Sequence, residues 1–464
     1  MIRVTETDFS KLGLQANLLA NLASLGYEVM TPIQAQSLPT ILAGRDVLGQ
    51  AKTGSGKTVA FGLGLLNSLD ATRFQIQALV LCPTRELAEQ VATEIRRLAR
   101  STPNVKILTL CGGTPFRPQA ESLKHGAHII VGTPGRIGDH LERQTLALSS
   151  VAILVLDEAD RMLEMGFEEA INAIVETLPS ERQTLLFSAT YPTQIRAIAK
   201  RFLRDPVTVK LESTHDNTTI EQHFYSVRDK THRFKALRLL LHFHKPTSTL
   251  VFCNTKRETQ AVADQLARLG FSVIALHGDL EQKDRDVALV RFSNHSVSIL
   301  VATDVAARGL DILSLDGVIN YEIAQDEEIH LHRIGRTGRA GAKGTAHSLY
   351  GDSERHKVAM FASDTDPITD PTALPPESCL DMPVSVPTMT TLRIDSGKKQ
   401  KIRPGDILGV LTQSGELAGT DVGKINVADN WTYVAIKRSA VDRALKGLAD
   451  GKLKGRSIRA RRLQ

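Results

Sequence analysis

Val151-Ala-Ile-Leu-Val-Leu-Asp-Glu-Ala-Asp160 is the stretch around which the rest of the chain is organised. Its apolar residues run directly into Asp157 and Glu158, two adjacent carboxylates. An unbroken run of Val, Ile and Leu is typical of a parallel strand that is buried on both faces. Because open α/β sheets bind ligands at the carboxyl ends of their strands, the stretch predicts a Mg-nucleotide site beside these carboxylates.

The segment Ala51-Lys-Thr-Gly-Ser-Gly-Lys-Thr58 follows another apolar strand and has the composition of a phosphate-binding loop. Its glycines let backbone N–H groups surround phosphate oxygens, Lys57 reaches the β and γ phosphates, and Thr58 can bind Mg²⁺. Asp157 would bind the same ion, and Glu158 would orient the attacking water. The alternative is a solvated turn and an acidic helix start. The predicted nucleotide contacts in the loop are Thr53, Gly54, Ser55, Gly56, Lys57 and Thr58.

The composition indicates a globular chain, because 42% of its 464 residues are hydrophobic, and that length has room for about three domains. The four cysteines include no Cys-x-x-Cys pair and predict neither a zinc site nor a disulfide framework. No run of about eighteen or more apolar residues is present, and the first residues lack the apolar core of a signal peptide. We therefore expect a cytoplasmic protein without a membrane partner.

The net charge of +6 is concentrated near the C-terminus. Residues 388–464 contain sixteen Lys and Arg against seven Asp and Glu, a net charge of +9, so the rest of the chain carries −3. A charge cluster is often only a solvated face. At this density on a small module, it favours a polyanionic partner.

Apolar strands and helical patterns alternate through most of the chain, which predicts parallel, doubly wound sheets. The first α/β domain is expected at residues 1–212, and the polar residues 213–219 resemble a linker. Alternation then restarts, so a second α/β domain is expected within residues 213–362. The predicted strands are 47–50, 78–82, 107–110, 129–131, 151–156 and 184–187, then 249–252, 273–276, 298–302 and 317–321.

Several short motifs stand in a characteristic order: Gly26-Tyr-Glu-Val-Met-Thr-Pro-Ile-Gln34, Ala51 to Thr58, Pro83-Thr-Arg-Glu-Leu-Ala88, Thr133-Pro-Gly-Arg136, Asp157-Glu-Ala-Asp160, Ser188-Ala-Thr190, Thr303-Asp-Val-Ala-Ala-Arg-Gly-Leu-Asp311 and His332-Arg-Ile-Gly-Arg-Thr-Gly-Arg339. This order resembles that of the DEAD-box RNA helicases, over about residues 9 to 355. The resemblance implies two RecA-like domains in tandem, with ATP and Mg²⁺ as cofactors. Ala51 is common at its position in that family.

The resemblance also assigns nucleotide roles beyond the loop. The Gln34 amide would pair with the N6 and N7 edge of adenine and Phe9 would pack against the ring, the alternatives being a surface Gln and a core Phe. Arg336 and Arg339 would complete the γ-phosphate site from the opposite domain as arginine fingers, the alternative being two surface arginines. Asp311 would contact the ribose. The residues expected to couple the domains are Asp160, Ser188, Thr190 and His332.

Another set of residues matches the family's RNA-backbone contacts. Contacts to phosphate and sugar do not read bases, so this core is expected to be largely sequence-blind, while contacts to 2′-hydroxyls would select RNA. None of these residues alone indicates RNA binding, since a Gly-Gly pair is usually a turn and Thr-Pro-Gly-Arg is usually a loop. They are Arg85, Gly112, Gly113, Thr133, Arg136, Gln282, Arg285 and Thr303.

Residues 363–389 contain six prolines and predict a semi-extended linker without packed structure. Residues 390–464 then follow the order βαββαβ, with a last strand at 457–460, which is the ferredoxin-like arrangement of RNA-recognition modules. Trp431 stands at an aromatic stacking position, and base stacking and a core anchor remain open for it. The basic residues expected to bind RNA in this module are Lys398, Lys399, Lys401, Arg403, Lys452, Lys454, Arg456 and Arg459, with Arg461 and Arg462 beside them.

This module on this core is similar to that of the DbpA-type bacterial helicases. The similarity implies a grip on a 23S ribosomal RNA hairpin near the peptidyl-transferase centre, and a role on pre-50S particles in large-subunit assembly. We expect a monomer that locally unwinds short RNA duplexes. The alternatives are a generalist helicase of RNA decay or cold shock, and an ATP-regulated RNA clamp that need not unwind.

Overall fold

The protein, described from a computed structural model, folds around three main sheets. The structure describes residues 7–51, 54–191, 193–211, 220–307, 315–338, 344–361, 371–413, 415 and 417–463. The seven-stranded sheet lies in one compact unit of the chain, and the six-stranded and four-stranded sheets lie in the other. We call the three parts domain one, domain two and the C-terminal domain. No helix within the described ranges is long and apolar enough to cross a membrane.

Domain one is a seven-stranded parallel sheet with helices between its strands. The strands are β1 (Val47–Gln50), β2 (Ala78–Leu81), β3 (Ile107–Leu110), β4 (Ile129–Gly132), β5 (Ile153–Asp157), β6 (Gln183–Ser188) and β7 (Val207–Lys210). The helices are α1 (Ala16–Ser24), α2 (Pro32–Leu42), α3 (Lys57–Ser68), α4 (Arg85–Leu98), α5 (Phe116–Lys124), α6 (Pro134–Glu142), α7 (Ala159–Glu164), α8 (Glu168–Glu176) and α9 (Thr193–Phe202). Across the sheet the order is β3-β4-β2-β5-β6-β1-β7, with every pair parallel.

The central strand β5 is apolar up to its last residue because both faces of the sheet are covered. Val155 packs into the hydrophobic cluster on one face, and Leu154 and Leu156 pack into the cluster on the other. All five of its residues are buried. The predicted burial of this strand on both faces is confirmed, and its last residue is Asp157.

Domain two repeats the architecture with a six-stranded parallel sheet. Its strands are β8 (Ile220–Ser226), β9 (Thr249–Cys253), β10 (Val273–Leu276), β11 (Ile299–Thr303), β12 (Gly317–Asn320) and β13 (Gly344–Tyr350). Its helices are α10 (Lys230–His244), α11 (Lys256–Arg268), α12 (Gln282–Ser293), α13 (Asp304–Ala307), α14 (Glu327–Ile334) and α15 (Arg355–Phe361). The sheet order is β10-β11-β9-β12-β13-β8. The two predicted parallel-sheet domains are thus confirmed as a fold class.

The C-terminal domain is a four-stranded antiparallel sheet covered on one face by two helices. Its elements are β14 (Met389–Ile394), α16 (Pro404–Thr412), β15 (Val422–Val427), β16 (Thr432–Lys437), α17 (Val441–Asp450), β17 (Lys452–Leu453), β18 (Arg456–Ser457) and β19 (Ala460–Arg462). The order β15-β16-β14-β19 confirms the βαββαβ arrangement. The predicted bounds of its last strand are wrong. Ser457 pairs instead with Lys452 in a short hairpin that turns through Gly455 at φ 80°, and the fourth strand begins at Ala460.

The proline-rich segment packs on domain two from its first described residues onward, so the prediction of a linker without packed structure is wrong for residues 371–388. The Thr372 N–H donates to the Phe224 carbonyl on the edge strand β8 at 2.7 Å. Leu374 and Val384 pack against the domain-two core. Proline removes a backbone donor but does not prevent apolar side chains from covering an exposed sheet edge. The earlier part of the segment, residues 362–370, lies outside the described residues.

Candidate active site and RNA-binding surfaces

The predicted nucleotide residues lie at the carboxyl ends of three neighbouring strands. β1 ends at Gln50, directly before the phosphate loop, and pairs with β6, which ends at Ser188. β5 lies on the other side of β6 and ends at Asp157. The Ala51 N–H donates to the Ser188 carbonyl at 3.0 Å, which fixes the start of the loop to the sheet. The structure therefore brings the loop and the carboxylates to one edge of domain one.

The phosphate loop has the backbone that a phosphate cradle requires. Gly54 and Gly56 have φ values of 86° and 96°, in the left-handed region that glycine adopts without steric cost. Lys57 then begins α3, and its Nζ donates to the Ala51 carbonyl at 2.7 Å across the loop. The N-terminus of a helix favours anions, because its backbone N–H groups are unpaired and aligned. The described part of the loop and the start of α3 therefore have the geometry expected of an anion site, and phosphate binding there stays a prediction.

Buried hydroxyls around this loop are ready for a ligand. The Oγ atoms of Ser55 and Ser188 are buried and make no hydrogen bond among the described residues. Such groups are rare in folded proteins, since an unsatisfied buried polar atom is costly. Thr58 lies in the first turn of α3, beside Lys57. Thr53 lies outside the described residues.

Gln34 holds the phosphate loop from the first turn of α2. Its Oε1 accepts from the Thr31 N–H at 2.8 Å, and its Nε2 donates to the Gly56 carbonyl at 3.1 Å. A Cβ on Gly56 would lie 2.5 Å from that Nε2, so packing as well as backbone conformation requires glycine there. One N–H and one lone pair of the amide have no partner among the described residues, and their pairing with adenine stays a prediction. Phe9, the predicted adenine neighbour, is 4% exposed in the domain-one core.

Asp157 has the features of a cation ligand. Burial raises the pKa of its carboxyl to about 6, against the opposing effect of the Lys57 ammonium. Its Oδ1 is buried without a hydrogen-bond partner among the described residues, and a divalent cation would satisfy that atom. Within the described ranges, no group of three or more His, Cys, Asp or Glu side chains could hold a metal. A Mg²⁺ ion beside Asp157 and Thr58 would take most of its ligands from phosphate and water, as this ion usually does.

Glu158 links β5 to α7 with a φ of 52°, in the left-handed region. Non-glycine residues with such backbones are uncommon and cluster at functional sites. Nη1 of Arg161, one helical turn later, lies 3.2 Å from Oε2 of Glu158, and both side chains are almost fully buried. No role was predicted for Arg161, although its i,i+3 spacing from Glu158 is visible in the sequence. This buried pair holds the carboxylate in place.

Asp160 is bound to the end of β6 by three hydrogen bonds. Its Oδ2 accepts from the Ala189 N–H at 3.0 Å and from the Thr190 N–H and hydroxyl at 2.9 Å each. The structure therefore joins two of the segments that carry the predicted domain-coupling residues, 157–160 and 188–190. A carboxylate that accepts several such bonds is held rigidly.

The domain-one residues predicted to bind RNA follow the adjacent strands β2, β4 and β3. Arg85 begins α4 after β2, and Gly112 and Gly113 follow β3, with φ 71° at Gly113. Thr133 follows β4 and is the residue before the first turn of α6, which carries Arg136. One half of the carboxyl edge of the sheet thus carries the RNA candidates, and the other half carries the phosphate loop.

The domain-two candidates also follow neighbouring strands. Gln282 and Arg285 lie at the start of α12, after β10, and Thr303 is the last residue of the adjacent strand β11. Gln282 Nε2 donates to the Asp286 carboxylate at 2.9 Å. Two predicted residues, Asp311 and Arg339, lie outside the described residues.

Arg333 organises the carboxyl edge of domain two, and no role was predicted for it. Its side chain is 1% exposed. Its guanidinium donates, over 2.6 to 3.3 Å, to the Asp304 carboxylate, the side-chain oxygens of Asn254 and Asn320, and the Glu322 carbonyl. These acceptors lie at the carboxyl ends of β9, β11 and β12 or directly after them. Because His332 and Arg336 lie on either side of it in the chain, Arg333 fixes their positions on α14 and just after it.

Trp431 is not a core anchor of the C-terminal domain. Val434 and Ile436 lie in the core under the helices, so Trp431 and Tyr433 belong to the opposite face of the sheet. Trp431 is half-buried, and the Arg393 guanidinium lies 4.6 Å from its ring centroid. The prediction that Trp431 stacks on a base stays a prediction.

That opposite face of the sheet contacts domain two. The Asn294 Nδ2 donates to the Thr391 hydroxyl at 3.2 Å, and the Ser296 and Thr391 hydroxyls lie 2.7 Å apart. Asn426 Nδ2 donates to Asn294 Oδ1 at 3.3 Å. Tyr433 is 4% exposed, and burial together with the nearby Asp286 of α12 raises its pKa. The sheet face is therefore seated on the turn after α12.

The two basic segments of the C-terminal domain lie side by side. Lys454, in the turn of the β17–β18 hairpin, contacts the carbonyl of Lys401 and lies 3.2 Å from the Asp406 carboxylate. The basic side chains around this junction are all exposed. We call this surface the basic rim; it comprises Lys398, Lys399, Lys401, Arg403, Lys452, Lys454, Arg456 and Arg459.

Comparison with known proteins accounts for all three parts. The family described as DEAD/DEAH box helicase matches residues 31–198, and the helicase conserved C-terminal domain matches residues 231–341. The DbpA RNA binding domain matches residues 391–462. The ATP-dependent RNA helicase DbpA of Escherichia coli strain K12 is 54% identical over 459 residues, which cover 99% of this chain and 100% of that one. The chain belongs to the DEAD-box ATP-dependent RNA helicases of the DbpA type.

This DbpA-type helicase shares its core with more distant relatives. The DEAD-box ATP-dependent RNA helicase CshA of Geobacillus kaustophilus is 46% identical over 341 residues, 73% of each chain. The solved structure of Saccharomyces cerevisiae Dbp5, bound to RNA and ADP BeF3, superposes with a TM-score of 0.68 at 31% identity and covers 75% of the helicase and 90% of that chain. The predicted family and enzyme class are confirmed.

Proposed function

We propose that the C-terminal domain targets this helicase to a 23S ribosomal RNA hairpin near the peptidyl-transferase centre, and that it acts on pre-50S particles in large-subunit assembly. The observation that carries the proposal is the match of residues 391–462 to the DbpA RNA binding domain, on a fold whose basic rim is exposed. Exposed Lys and Arg bind RNA by neutralising phosphates and releasing counterions. The cytoplasm is the location that follows, and the proposed working form is a monomer.

The proposed chemistry lies at the carboxyl edge of domain one. Lys57 and the loop N–H groups hold the phosphates, and Glu158, fixed by Arg161, orients the attacking water. Asp157 and Thr58 would hold Mg²⁺, which supplies charge stabilisation at the phosphates when bound. Arg336 and Arg339 are proposed to add positive charge at the γ-phosphate, as arginine fingers do.

The core is proposed to grip the RNA backbone and loosen a short duplex. Backbone contacts fix register without reading bases, which suits a core that works beside a separately recognised hairpin. Stacking is worth on the order of 1.4 kcal/mol per base-pair step in DNA, so one cycle of ATP binding would separate only a few pairs. Unwinding is therefore local.

The test compares two structured RNAs of equal length in ATPase assays with the full-length helicase at one salt concentration. One RNA carries the large-subunit hairpin, and the other is unrelated. We expect a half-maximal concentration at least about a hundred-fold lower for the ribosomal RNA, because specific sites exceed nonspecific binding by such factors. Equal values for both would show that the basic rim is only an electrostatic tether, and would favour a generalist helicase.

A charge-reversal variant shows whether the basic rim recognises the hairpin. Lys452→Glu with Arg456→Glu should raise the half-maximal concentration of the ribosomal RNA more than that of the unrelated RNA. Lys446→Glu with Arg443→Glu, on α17 and outside the basic rim, is the control of equal charge. If both pairs of substitutions raised the half-maximal concentration of the ribosomal RNA equally, hairpin recognition would lie elsewhere on the domain.

A further inference from the structure

The amide of Gln119 lies between segments of domain one that are proposed to bind RNA. Gln119 is on α5, and its Nε2 donates to the Cys111 carbonyl at 3.0 Å and to the Thr114 hydroxyl at 2.5 Å. Its Oε1 accepts from Arg136 Nη1 at 2.9 Å and lies 3.1 Å from His140 Nε2. The amide thus uses both of its N–H groups and both of its acceptor lone pairs.

These partners fix the orientation of the amide. Exchanging its nitrogen and oxygen would turn N–H groups toward the Arg136 guanidinium, which has donors only. Burial, with the positive charge of Arg136, lowers the pKa of His140 to about 4, so this ring is neutral at pH 7. His140 then donates from Nε2 to Gln119, and its Nδ1 accepts from the Thr145 hydroxyl at 2.7 Å. Phe116 stacks on the same ring with 4.2 Å between centroids.

The same bonds hold both ends of the Gly112–Gly113 turn. Cys111 precedes the turn and Thr114 follows it, and the Thr114 hydroxyl donates to the Cys111 carbonyl at 3.0 Å. Arg136 Nη1 also donates to the Thr114 carbonyl at 3.0 Å. Gln119 therefore connects the turn after β3 to the helix after β4. Without this amide, the turn and Arg136 would share only the Thr114 carbonyl bond among the contacts of the described residues.

We propose that Gln119 is a positioning residue for RNA binding, which presents the Gly112–Gly113 turn and Arg136 to the RNA backbone in one fixed arrangement. The inference rests on the proposed RNA role of those residues and adds a residue that need not touch RNA itself. Groups held in their bound geometry bind more tightly, because less conformational freedom is lost on binding. Rigid support of this kind affects RNA affinity and leaves the ATP site, at the other half of the sheet edge, unchanged.

The test uses full-length Gln119→Ala and a single-stranded oligouridine, which offers no hairpin to the C-terminal domain. RNA-stimulated ATPase gives the half-maximal oligouridine concentration, kcat at saturating RNA and KM for ATP. We expect the half-maximal oligouridine concentration to rise about ten-fold, the usual scale for a lost charged hydrogen bond. kcat and the KM for ATP should stay within about two-fold, since the phosphate loop makes none of these contacts.

Gln119→Glu is the conservative variant that separates the turn from the arginine. A carboxylate keeps an acceptor for Arg136 but places an oxygen against the Cys111 carbonyl, so the bond from residue 119 to that carbonyl is lost while the arginine stays paired. An intermediate rise in the half-maximal oligouridine concentration is expected. A value equal to the wild type would overturn the role assigned to the turn.

Gln77→Ala is the matched control. The Gln77 amide also bridges a loop in domain one, through Nε2 to the carbonyls of Asp70 and Arg73 at 2.8 and 2.9 Å and through Oε1 from the Asp70 N–H at 3.0 Å. It precedes β2, at the amino edge of the sheet, opposite the proposed RNA surface. If Gln77→Ala and Gln119→Ala raised the half-maximal oligouridine concentration equally, Gln119 would have only a general structural role. That result would overturn the proposal.

Arg136→Ala separates this inference from the proposed function. If Arg136→Ala leaves RNA affinity unchanged, the proposed RNA surface is itself wrong. If Arg136→Ala weakens RNA binding and Gln119→Ala does not, the proposed RNA surface stands and only the positioning role of Gln119 is wrong. In the double variant Gln119→Ala with Arg136→Ala, the half-maximal oligouridine concentration should rise by less than the product of the two single rises. The reason is that Gln119 acts through Arg136, and residues that share partners are coupled. A full product would contradict it.

Discussion

The buried carboxyl of Asp157 makes the stability of domain one depend on pH. Its pKa of about 6 in the folded protein lies above the ordinary value of 3.8. The folded state therefore binds the Asp157 proton more tightly than the unfolded state does. The free energy of unfolding that this proton contributes is fully present below about pH 4 and is lost as pH rises through about 6. Without nucleotide and Mg²⁺, ionised Asp157 is a destabilising group at pH 8.

Asp157→Asn should consequently stabilise the nucleotide-free protein. At pH 8 the gain should be as large as about 3 kcal/mol, and it should be roughly halved at pH 5, since each pKa unit is worth about 1.4 kcal/mol. Thermal unfolding of the variant and the wild type at pH 8 and pH 5 measures this gain in stability. Adding ATP and Mg²⁺ should reverse the order of stability, because the charged wild-type carboxylate binds the cation more strongly than a neutral amide oxygen does. Asp205→Asn, at a carboxyl that is 99% exposed, is the control and should show no such dependence.

Single residues divide into those that sequence can predict and those that only the fold reveals. The glycines of the phosphate loop and Asp157 could be predicted, because their chemistry follows from residue type and neighbours in the chain. The role of Arg333 could not, because its acceptors come from three strands far apart in sequence. Gln34 lies between these cases. Its amide was predicted to serve adenine, and the structure adds that it also fixes Gly56.

At the scale of elements, residues 371–388, the described part of the proline-rich segment, pack on domain two without forming a strand or a long helix. Val384 packs against the domain-two core, whereas Val386, two residues later, is 58% exposed. Val384→Ser should lower the stability of domain two by roughly 1 to 2 kcal/mol, because a partly buried apolar side chain is lost. That loss corresponds to a fall of about 2 to 8 °C in melting temperature for a domain of this size.

Val386→Ser is the control for this change, with the same substitution in the same segment. Its effect should stay within about 0.5 kcal/mol, as for most exposed sites. A freely moving linker would give the same small effect at both positions. Identical melting temperatures for the two variants would therefore show that the segment does not pack in solution.

Strands were predictable where nearly all of their residues are apolar and were missed where polar residues interrupt the run. β5 is apolar up to Asp157 and β9 is apolar after Thr249, so their sequences alone indicated them. β7 and β8 lie at sheet edges. β7 alternates polar with apolar residues, β8 carries a polar run at residues 221–223 near its start, and β13 carries His347 and Ser348 in its centre. Their pairing depends on neighbours that the local pattern does not contain. The proline-rich segment was misjudged for the same reason, since its packing partner is an edge strand elsewhere in the chain.

At the scale of the molecule, the contact between the C-terminal domain and domain two can be tested by a cross-link. The hydroxyls of Ser296 and Thr391 lie 2.7 Å apart, so sulfur atoms in their place would be within bonding reach. Ser296→Cys with Thr391→Cys should form a disulfide under mild oxidation, seen as a loss of two free thiols. The four natural cysteines are buried and should not compete. If the seated arrangement is the working one, RNA-stimulated ATPase should survive the cross-link.

Ser296→Cys with Thr420→Cys is the control pair, because Thr420 is exposed on another part of the C-terminal domain. This pair should keep both thiols under the same oxidation. Equal rates of disulfide formation in the two pairs would indicate that the C-terminal domain samples many positions and is not seated on the Asn294 turn. Dilution separates an internal disulfide from one between molecules.

The fold of the C-terminal domain was predictable, but its contact with the turn after α12 of domain two was not. The order βαββαβ follows from local patterns, and the exposed basic rim follows from charge density. The seat depends on Asn294 and Ser296, two small polar residues in a turn, which meet Thr391 almost a hundred residues later. Small polar residues are common in turns for local reasons, so nothing in their sequence marks them as an interface.

The interface with the turn after α12 also limits the transfer of the C-terminal domain to other proteins. A graft of residues 390–464 onto another DEAD-box core would carry the basic rim with it, but Thr391 would meet whatever turn that core has after its equivalent of α12. Thr391, which is buried, and Asn426, which is partly buried, would then lose their partners, at about 1 to 3 kcal/mol for each buried group left unsatisfied. Transplanting the Asn294 and Ser296 turn along with the domain would make the graft a complete unit, with RNA recognition and attachment inherited together.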